Sequence, residues 1–345
     1  MPVITTKDIA ERLGLSASTV GRALADDVRI SEQTKLRVRA TAAEMGYVSN
    51  RAARMMRGVS SNVVGLVIPD VRNSFYSTIA HELSKNLETS GFQLMLSESD
   101  DDPMVELQHL RELSATRVAG VIIVPTAHPR RETVALLQNL PHVQMLRKHR
   151  SIGAEWFGVD DHDALRQATS HLTRLGHTRI GYIGGPVTLP TGAQRVKGFT
   201  DALHDAGLEP NHDLLEHVSP AAEDHGRQAL RRLLDSPAAP TAIVVGSVRL
   251  TIGVLDELHH TGVSVPDELS VTGFGDEPGF SWWGPGLTTL RLPIGDMAAS
   301  CGLRLLRRLS AHSPGTDSPY ASMSLGELIV RGSTAPPPPI DDSTR

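Results

Sequence analysis

A single cysteine, Cys301, in 345 residues excludes an intramolecular disulfide and fits a reducing compartment. No apolar run approaches the ~20 residues of a membrane span, so no membrane partner is expected. The N-terminus has no apolar stretch behind charged residues, so no signal peptide is expected. Motifs that carry chemistry are missing as well. There is no HExxH and no cysteine pair, and the adjacent His259 and His260 point apart on one predicted helix, so no metal site is expected. GxSxG is absent, which leaves no nucleophile elbow. The glycines of TGFGDEPGF (272–280) lack the spacing of a dinucleotide loop. The chain is therefore read as a binding protein, not an enzyme, with no catalytic residues and no cofactor.

What is present is a charge asymmetry. The net charge of −5 does not suggest a polyanion as partner. Yet of 34 Lys/Arg and 39 Asp/Glu, residues 1–60 hold ten and six, a net of +4, and the remainder carries −9. A basic end on an acidic body concentrates attraction to phosphate at that end.

The local pattern of this end is helical. A Thr5 or Thr6 cap precedes Ile9, Ala10 and Leu13 at helical spacing, with Asp8 and Glu11 near the positive helix end. Gly14 stops the helix, and Ser16 caps a second one. That second helix buries Val20, Ala23 and Leu24, which turns Ala17, Ser18 and Arg22 outward. Two short helices about a glycine turn form a helix-turn-helix, whose second helix enters a major groove. Arg22 has the fork that pairs with guanine O6 and N7. A third helix, capped by Ser31, carries Val38, Ala42 and Met45 inward. An ordinary three-helix bundle with no partner is the alternative.

The segment Tyr47-Val-Ser-Asn50-Arg51-Ala-Ala53-Arg54-Met-Met56-Arg57 decides between them. With it, the first sixty residues resemble the headpiece of the LacI/GalR family of transcriptional regulators. The resemblance implies a hinge helix whose apolar tip wedges into a minor-groove step as one of a pair. Met56 stands at the wedge, where the family usually has leucine. Ser49 replaces the family's proline, and Gly21 its serine. The DNA contacts so implied are Thr6, Ser16, Ala17, Ser18, Thr19, Arg22, Arg29, Ser31, Thr34, Tyr47, Asn50, Arg51, Ala53, Arg54 and Met56.

From Asn62 onward, short β-rich runs alternate with amphipathic helices. VVGLVIP (63–69), FQLMLSES (92–99), VAGVIIVP (118–125), RIGYIGG (179–185), TAIVVG (241–246) and ELSVTGFG (268–275) read as strands of parallel sheets. The rhythm restarts after Asp160, which suggests two lobes with a ligand between them. The segments HLTRLGHTRIGYIGGP (171–186), TGAQRVKGF (191–199) and PGLTTLRLP (285–293) resemble the periplasmic-binding-protein-like effector domain of the same family. The expected fold is thus an all-α helix-turn-helix headpiece plus a two-lobed α/β effector domain. Expected domains are the headpiece at 1–46, hinge and linker at 47–60, and effector and dimerisation domain at 61–334. Its lobes would be 61–158 plus 292–318, and 159–291 plus 319–334. Crossings are expected near 156–162, 288–293 and 318–322, with a disordered tail at 335–345.

Arg195 falls on the family's effector-binding arginine. Asp160 follows a strand at the crossing and either accepts from the ligand or caps the next helix. Phe75 and Tyr76 open the first helix of the body, as effector contacts or as core. Thr191, Ser247 and Asp276 complete the polar set. Trp282, adjacent to Trp283, either stacks on the ligand or packs at an interface. Two departures stand out: Ser247-Val248 replaces a frequent Asn-Asp pair, and Gly275 a frequent aspartate. The resemblance implies a cytoplasmic, nucleoid-associated repressor, binding a pseudo-palindromic operator on double-stranded DNA as a homodimer. A small sugar, sugar acid or other metabolite would control it. A solute-binding protein of the periplasmic-binding-protein type is the alternative.

Overall fold

The computed structural model describes residues 4–47, 61–221, 224–310 and 319–338. The chain divides into two compact units, with the boundary in the sequence between Ser61 and Asn62.

The first unit holds helices α1 (Thr6–Leu13), α2 (Ala17–Leu24) and α3 (Glu32–Glu44). Each start is fixed by a side chain. Asp8 Oδ2 accepts from Thr5 N at 2.6 Å and from Thr5 Oγ1 at 2.7 Å. Ser16 Oγ accepts from Thr19 N at 3.0 Å, and Ser31 Oγ from Thr34 N at 3.3 Å. These bonds satisfy amides that have no partner inside the helix. Gly14 ends α1 at φ 66°, a left-handed turn that a side chain would strain. Ile9, Ala10, Val20, Ala23, Val38 and Ala42 form the buried core, with Leu13, Leu24, Met45 and Tyr47 packed around it.

The second unit contains two six-stranded sheets. Sheet one uses β1 (Val63–Ile68), β2 (Gln93–Glu98), β3 (Gly120–Ile123), β4 (His142–Met145), β5 (Trp156–Val159) and β11 (Ala321–Ser324), in the order β11-β5-β4-β3-β1-β2. All its pairings are parallel. Sheet two uses β6 (Ile180–Gly184), β7 (Leu215–His217), β8 (Ala242–Val245), β9 (Ser270–Phe274), β10 (Thr288–Arg291) and β12 (Glu327–Ile329), in the order β12-β10-β9-β8-β6-β7. Only β12 runs antiparallel, against β10. β1, β3, β6, β8 and β9 are buried along their whole length. Their unbroken apolar runs are what a sheet covered on both faces requires.

Helices α4 (Ser74–Glu88), α5 (Pro103–Ala115) and α6 (Arg131–Gln138) connect strands of sheet one. Helices α7 (Asp161–Arg174), α8 (Pro190–Asp205), α9 (Asp224–Leu234), α10 (Val248–Thr261) and α11 (Pro278–Trp282) belong with sheet two. Helix α12 (Ile294–Ser310) returns to the first lobe, where Met297, Ala298, Cys301 and Leu305 join Leu83 and Leu87 of α4 in one core. Glu155 beside β5 holds α12 through Arg304 and Arg308, at 2.5 and 2.6 Å.

The chain crosses between the lobes after Val159, after Arg291 and between Ser324 and Glu327. The third crossing differs from the expected 318–322, and 321–324 lies in the first lobe, not the second. Ala321–Ser324 pairs with Trp156–Val159 in parallel register. As a half-exposed edge strand of sequence ASMS, it carries no apolar run to reveal it.

Candidate functional site

Two surfaces gather the candidate residues, one in each unit.

In the first unit, Ser16, Ala17, Ser18 and Arg22 are exposed along α2, and Thr19 is half-buried. Arg22 Nη2 donates to Ser18 Oγ at 2.9 Å, which aligns the guanidinium with the helix face four residues back. Ser16 and Thr19 hydroxyls lie 2.8 Å apart, and those of Ser31 and Thr34 2.9 Å apart. Thr6 is half-buried at the start of α1. Arg29 is engaged locally: Nη2 donates to Asp27 Oδ2 at 2.6 Å and Nε to Oδ1 at 2.9 Å. Those bonds hold the Asp27 carboxyl well below its usual range. Tyr47 packs beside the three-helix core. Asn50, Arg51, Ala53, Arg54 and Met56 lie outside the described residues.

In the second unit, a cleft opens where strand ends of both sheets face each other. Phe75, Tyr76, Leu146 and Arg147 reach it from the first lobe. Leu189, Thr191, Arg195, Ser247, Val248 and Phe274 reach it from the second. Its free space is about 60 Å³. Five predicted residues thus share one wall system: Phe75, Tyr76, Thr191, Arg195 and Ser247.

Arg195 is held on three sides. Nε donates to Asp161 Oδ1 at 2.7 Å, and Nη1 donates to the carbonyl of Gly246 at 2.8 Å. Its guanidinium carbon stands 4.0 Å from the Phe274 ring centre, a stacked cation–π contact. Burial raises the Asp161 pKa, and the Arg195 charge opposes that shift. A second buried arginine, Arg147, is paired with Asp101, Nη2 to Oδ2 at 3.0 Å. Neither Asp161 nor Arg147 was singled out from sequence.

Three predicted contacts do not line the cleft. Asp160 accepts from Asp163 N at 2.9 Å and caps α7. Asp276 is claimed by two arginines, Arg291 at 2.7 Å and Arg331 at 2.8 Å. Trp282 is 79% exposed and lines a separate groove of about 400 Å³ with Leu258, His259 and Trp283.

Gly275 and Val248, both departures from the family pattern, pack as one unit. Gly275 sits at φ +81°, and a Cβ there would lie 2.5 Å from Val248 Cγ2 and 3.2 Å from the Phe75 ring. The lobes are also tied directly. Arg249 of α10 pairs with Asp70, and Ser74 Oγ donates to Glu277 Oε1 at 2.6 Å.

Comparison with known proteins agrees with this division. Residues 5–50 match the DNA-binding model of the bacterial regulatory proteins, lacI family, and 169–334 match the periplasmic binding protein-like domain. The chain is 29% identical over 339 residues to the HTH-type transcriptional regulator DegA of Bacillus subtilis (strain 168), covering 96% of this chain and 98% of that protein. It is 27% identical over 331 residues to the HTH-type transcriptional repressor CytR of Escherichia coli (strain K12), covering 96% of each. The lac repressor dimer bound to operator and the anti-inducer ONPF has the same fold, with TM-score 0.82 and 23% identity over 97% of this chain and all of that one.

Proposed function

The chain belongs to the lacI family of bacterial regulatory proteins, and from that premise we propose a ligand-controlled repressor that reads a pseudo-palindromic operator as a homodimer. The observation that carries this reading is the outward face of α2. Its small residues, Ala17 and Ser18, permit approach to base edges, and Arg22 supplies the bidentate donor. Arg29, Ser31 and Thr34 are assigned to the DNA backbone, with the hinge at Asn50–Met56 in the minor groove. This headpiece favours a regulator over a solute-binding protein, which has no use for it.

The cleft is assigned to a small-molecule effector, with Arg195 as its anchor and Phe75, Tyr76, Thr191 and Ser247 around it. A ligand that binds one lobe angle better than the other biases the switch by their affinity difference, typically ~1–3 kcal/mol. In a dimer, lobe closure resets the separation of the two hinges and so their grip on the operator. The exposed groove at Trp282 is assigned to the contact between subunits, where large aromatics concentrate binding energy. The protein acts by binding, without turnover, in the cytoplasm at the nucleoid. Among the described residues, no helix is long and apolar enough to cross a membrane.

Footprinting on the DNA upstream of its own gene, at low salt, tests the reading. Protection of two half-sites related by two-fold symmetry is expected. No protection, with or without added metabolites, overturns it.

A further inference from the structure

The chemistry of the cleft says what it does not hold well. Both of its arginines are already neutralised, Arg195 by Asp161 and Arg147 by Asp101. No described side chain that lines it carries a carboxylate. Asn73 Oδ1 already accepts one bond, from Phe75 N, and its amide N–H groups are donors toward the cleft. Arg195 keeps one terminal nitrogen, Nη2, free of any bond to the described residues. Among the described lining side chains, the neutral acceptors are the hydroxyls of Tyr76, Thr191 and Ser247 and the second lone pair of Asn73 Oδ1, and each hydroxyl is also a donor. The set is dominated by donors.

The rest of the wall is apolar. Phe75 and Phe274 rings lie 5.8 Å apart at 50°. Leu146, Leu189, Val248 and Leu292 complete the surround. Leu146 holds its place at φ +59°, an unusual conformation for a leucine. The contact between Gly275 and Val248 shows that a longer side chain at 275 would have to displace this apolar packing.

We propose that the effector is a flat, largely apolar, uncharged ring compound whose polar atoms are carbonyl-type acceptors, and not a polyol. The inference rests on the assignment of the cleft as the effector site. A sugar brings a hydroxyl on nearly every carbon, and each O–H needs an acceptor once it leaves water. Three hydroxyls and one amide oxygen, with no carboxylate among the described lining side chains, meet that need poorly for a hexose. A ring carbonyl instead receives bonds from Arg195 Nη2 and Asn73 Nδ2, while its face joins the Phe75–Phe274 cluster. An anion is disfavoured because Asp161 already balances Arg195, so a second carboxylate would leave net negative charge in a desolvated site. This proposal departs from the expectation of a sugar-like ligand drawn from the family resemblance.

The test uses the full-length protein with benzamide, benzoate, D-glucose and D-ribose at millimolar concentration, by thermal shift and isothermal titration. Benzamide should bind saturably, benzoate roughly tenfold more weakly, and the sugars not at all; tenfold corresponds to about 1.4 kcal/mol. Leu189→Asn, at a half-exposed helix-cap position that tolerates asparagine, should weaken benzamide binding about tenfold and leave the free protein's melting temperature unchanged. Saturable binding of either sugar without benzamide binding overturns the proposal. So does a lack of benzamide response, or benzamide binding that Leu189→Asn leaves intact. Footprinting with the same preparation separates the two levels. Operator protection with sugar binding removes this inference alone, whereas no protection removes the regulator reading.

Discussion

Asp161→Ala is the most informative single change in the cleft. Asp161 is 7% exposed and its partner Arg195 16%, with 2.7 Å between Nε and Oδ1. Removing one member leaves a guanidinium with little water and no counter-charge, which costs about 3–5 kcal/mol. For a unit of this size, each kcal/mol lowers the melting temperature by ~2–4 °C, so a loss of about 10 °C is expected. The control is Asp205→Ala, whose ion pair with Arg166 has side chains 57% and 48% exposed. That change should cost at most about 1 kcal/mol. The double replacement Asp161→Leu with Arg195→Met should recover to within about 1–2 kcal/mol of the parent, because an apolar pair avoids the desolvation of both charges. Chemical denaturation followed by circular dichroism measures all four proteins. If Asp161→Ala costs no more than Asp205→Ala, the buried pair is not what holds Arg195, and the positioning argument fails.

Other expectations follow from the same geometry. Arg22→Ala should cost ~1–3 kcal/mol on the operator and relax specificity at one base pair, measured by fluorescence anisotropy. Equal weakening on random DNA would make Arg22 a phosphate contact. Glu106 is fully buried, with Oε2 accepting from Thr126 N at 2.7 Å and Oε1 unpaired among the described residues. Burial raises its pKa above the unfolded value, so its ionisation at higher pH favours unfolding. Glu106→Gln should therefore raise the melting temperature at pH 7–8, with the gain vanishing below about pH 4, where glutamate is protonated in both states. A pH-independent difference would contradict this. Trp282→Ala should weaken the dimer by about 2 kcal/mol or more in sedimentation equilibrium. An unchanged association constant would place the interface elsewhere.

The headpiece is legible in sequence because its signals are local. Thr5, Gly14, Ser16 and Ser31 each fix a helix end within a few residues. The sheets are legible where strands are buried on both faces, as in VVGLVI and GVII. The half-exposed edge strand Ala321–Ser324 is not, since its one large apolar residue, Met323, is exposed and the other three are small, which carries little signal. The site is legible in part for a similar reason. Phe75 sits at a helix start and Arg195 in the second turn of another helix, and their sequence neighbours mark them. Between the adjacent Asp160 and Asp161, sequence cannot tell which turns inward. The structure gives Asp160 to the α7 cap, which leaves Asp161 facing Arg195. Asp276 is drawn away by Arg291 and Arg331, fifteen and fifty-five residues further along the chain. The coupling of Gly275 to Val248 is a contact between distant segments, visible only once the lobes are folded.

On the proposed function, cleft occupancy and DNA binding are one linked equilibrium. Its most direct measurement is a thermodynamic cycle on the full-length protein, using the ring compound that binds most tightly among neutral aromatic carbonyls. Operator affinity is measured with and without the compound, and compound affinity with and without operator. Both affinities should change by the same factor, about 5–150-fold, and Arg195→Ala should abolish the change while free operator affinity is retained. Saturable binding in the cleft with no change in operator affinity would contradict it.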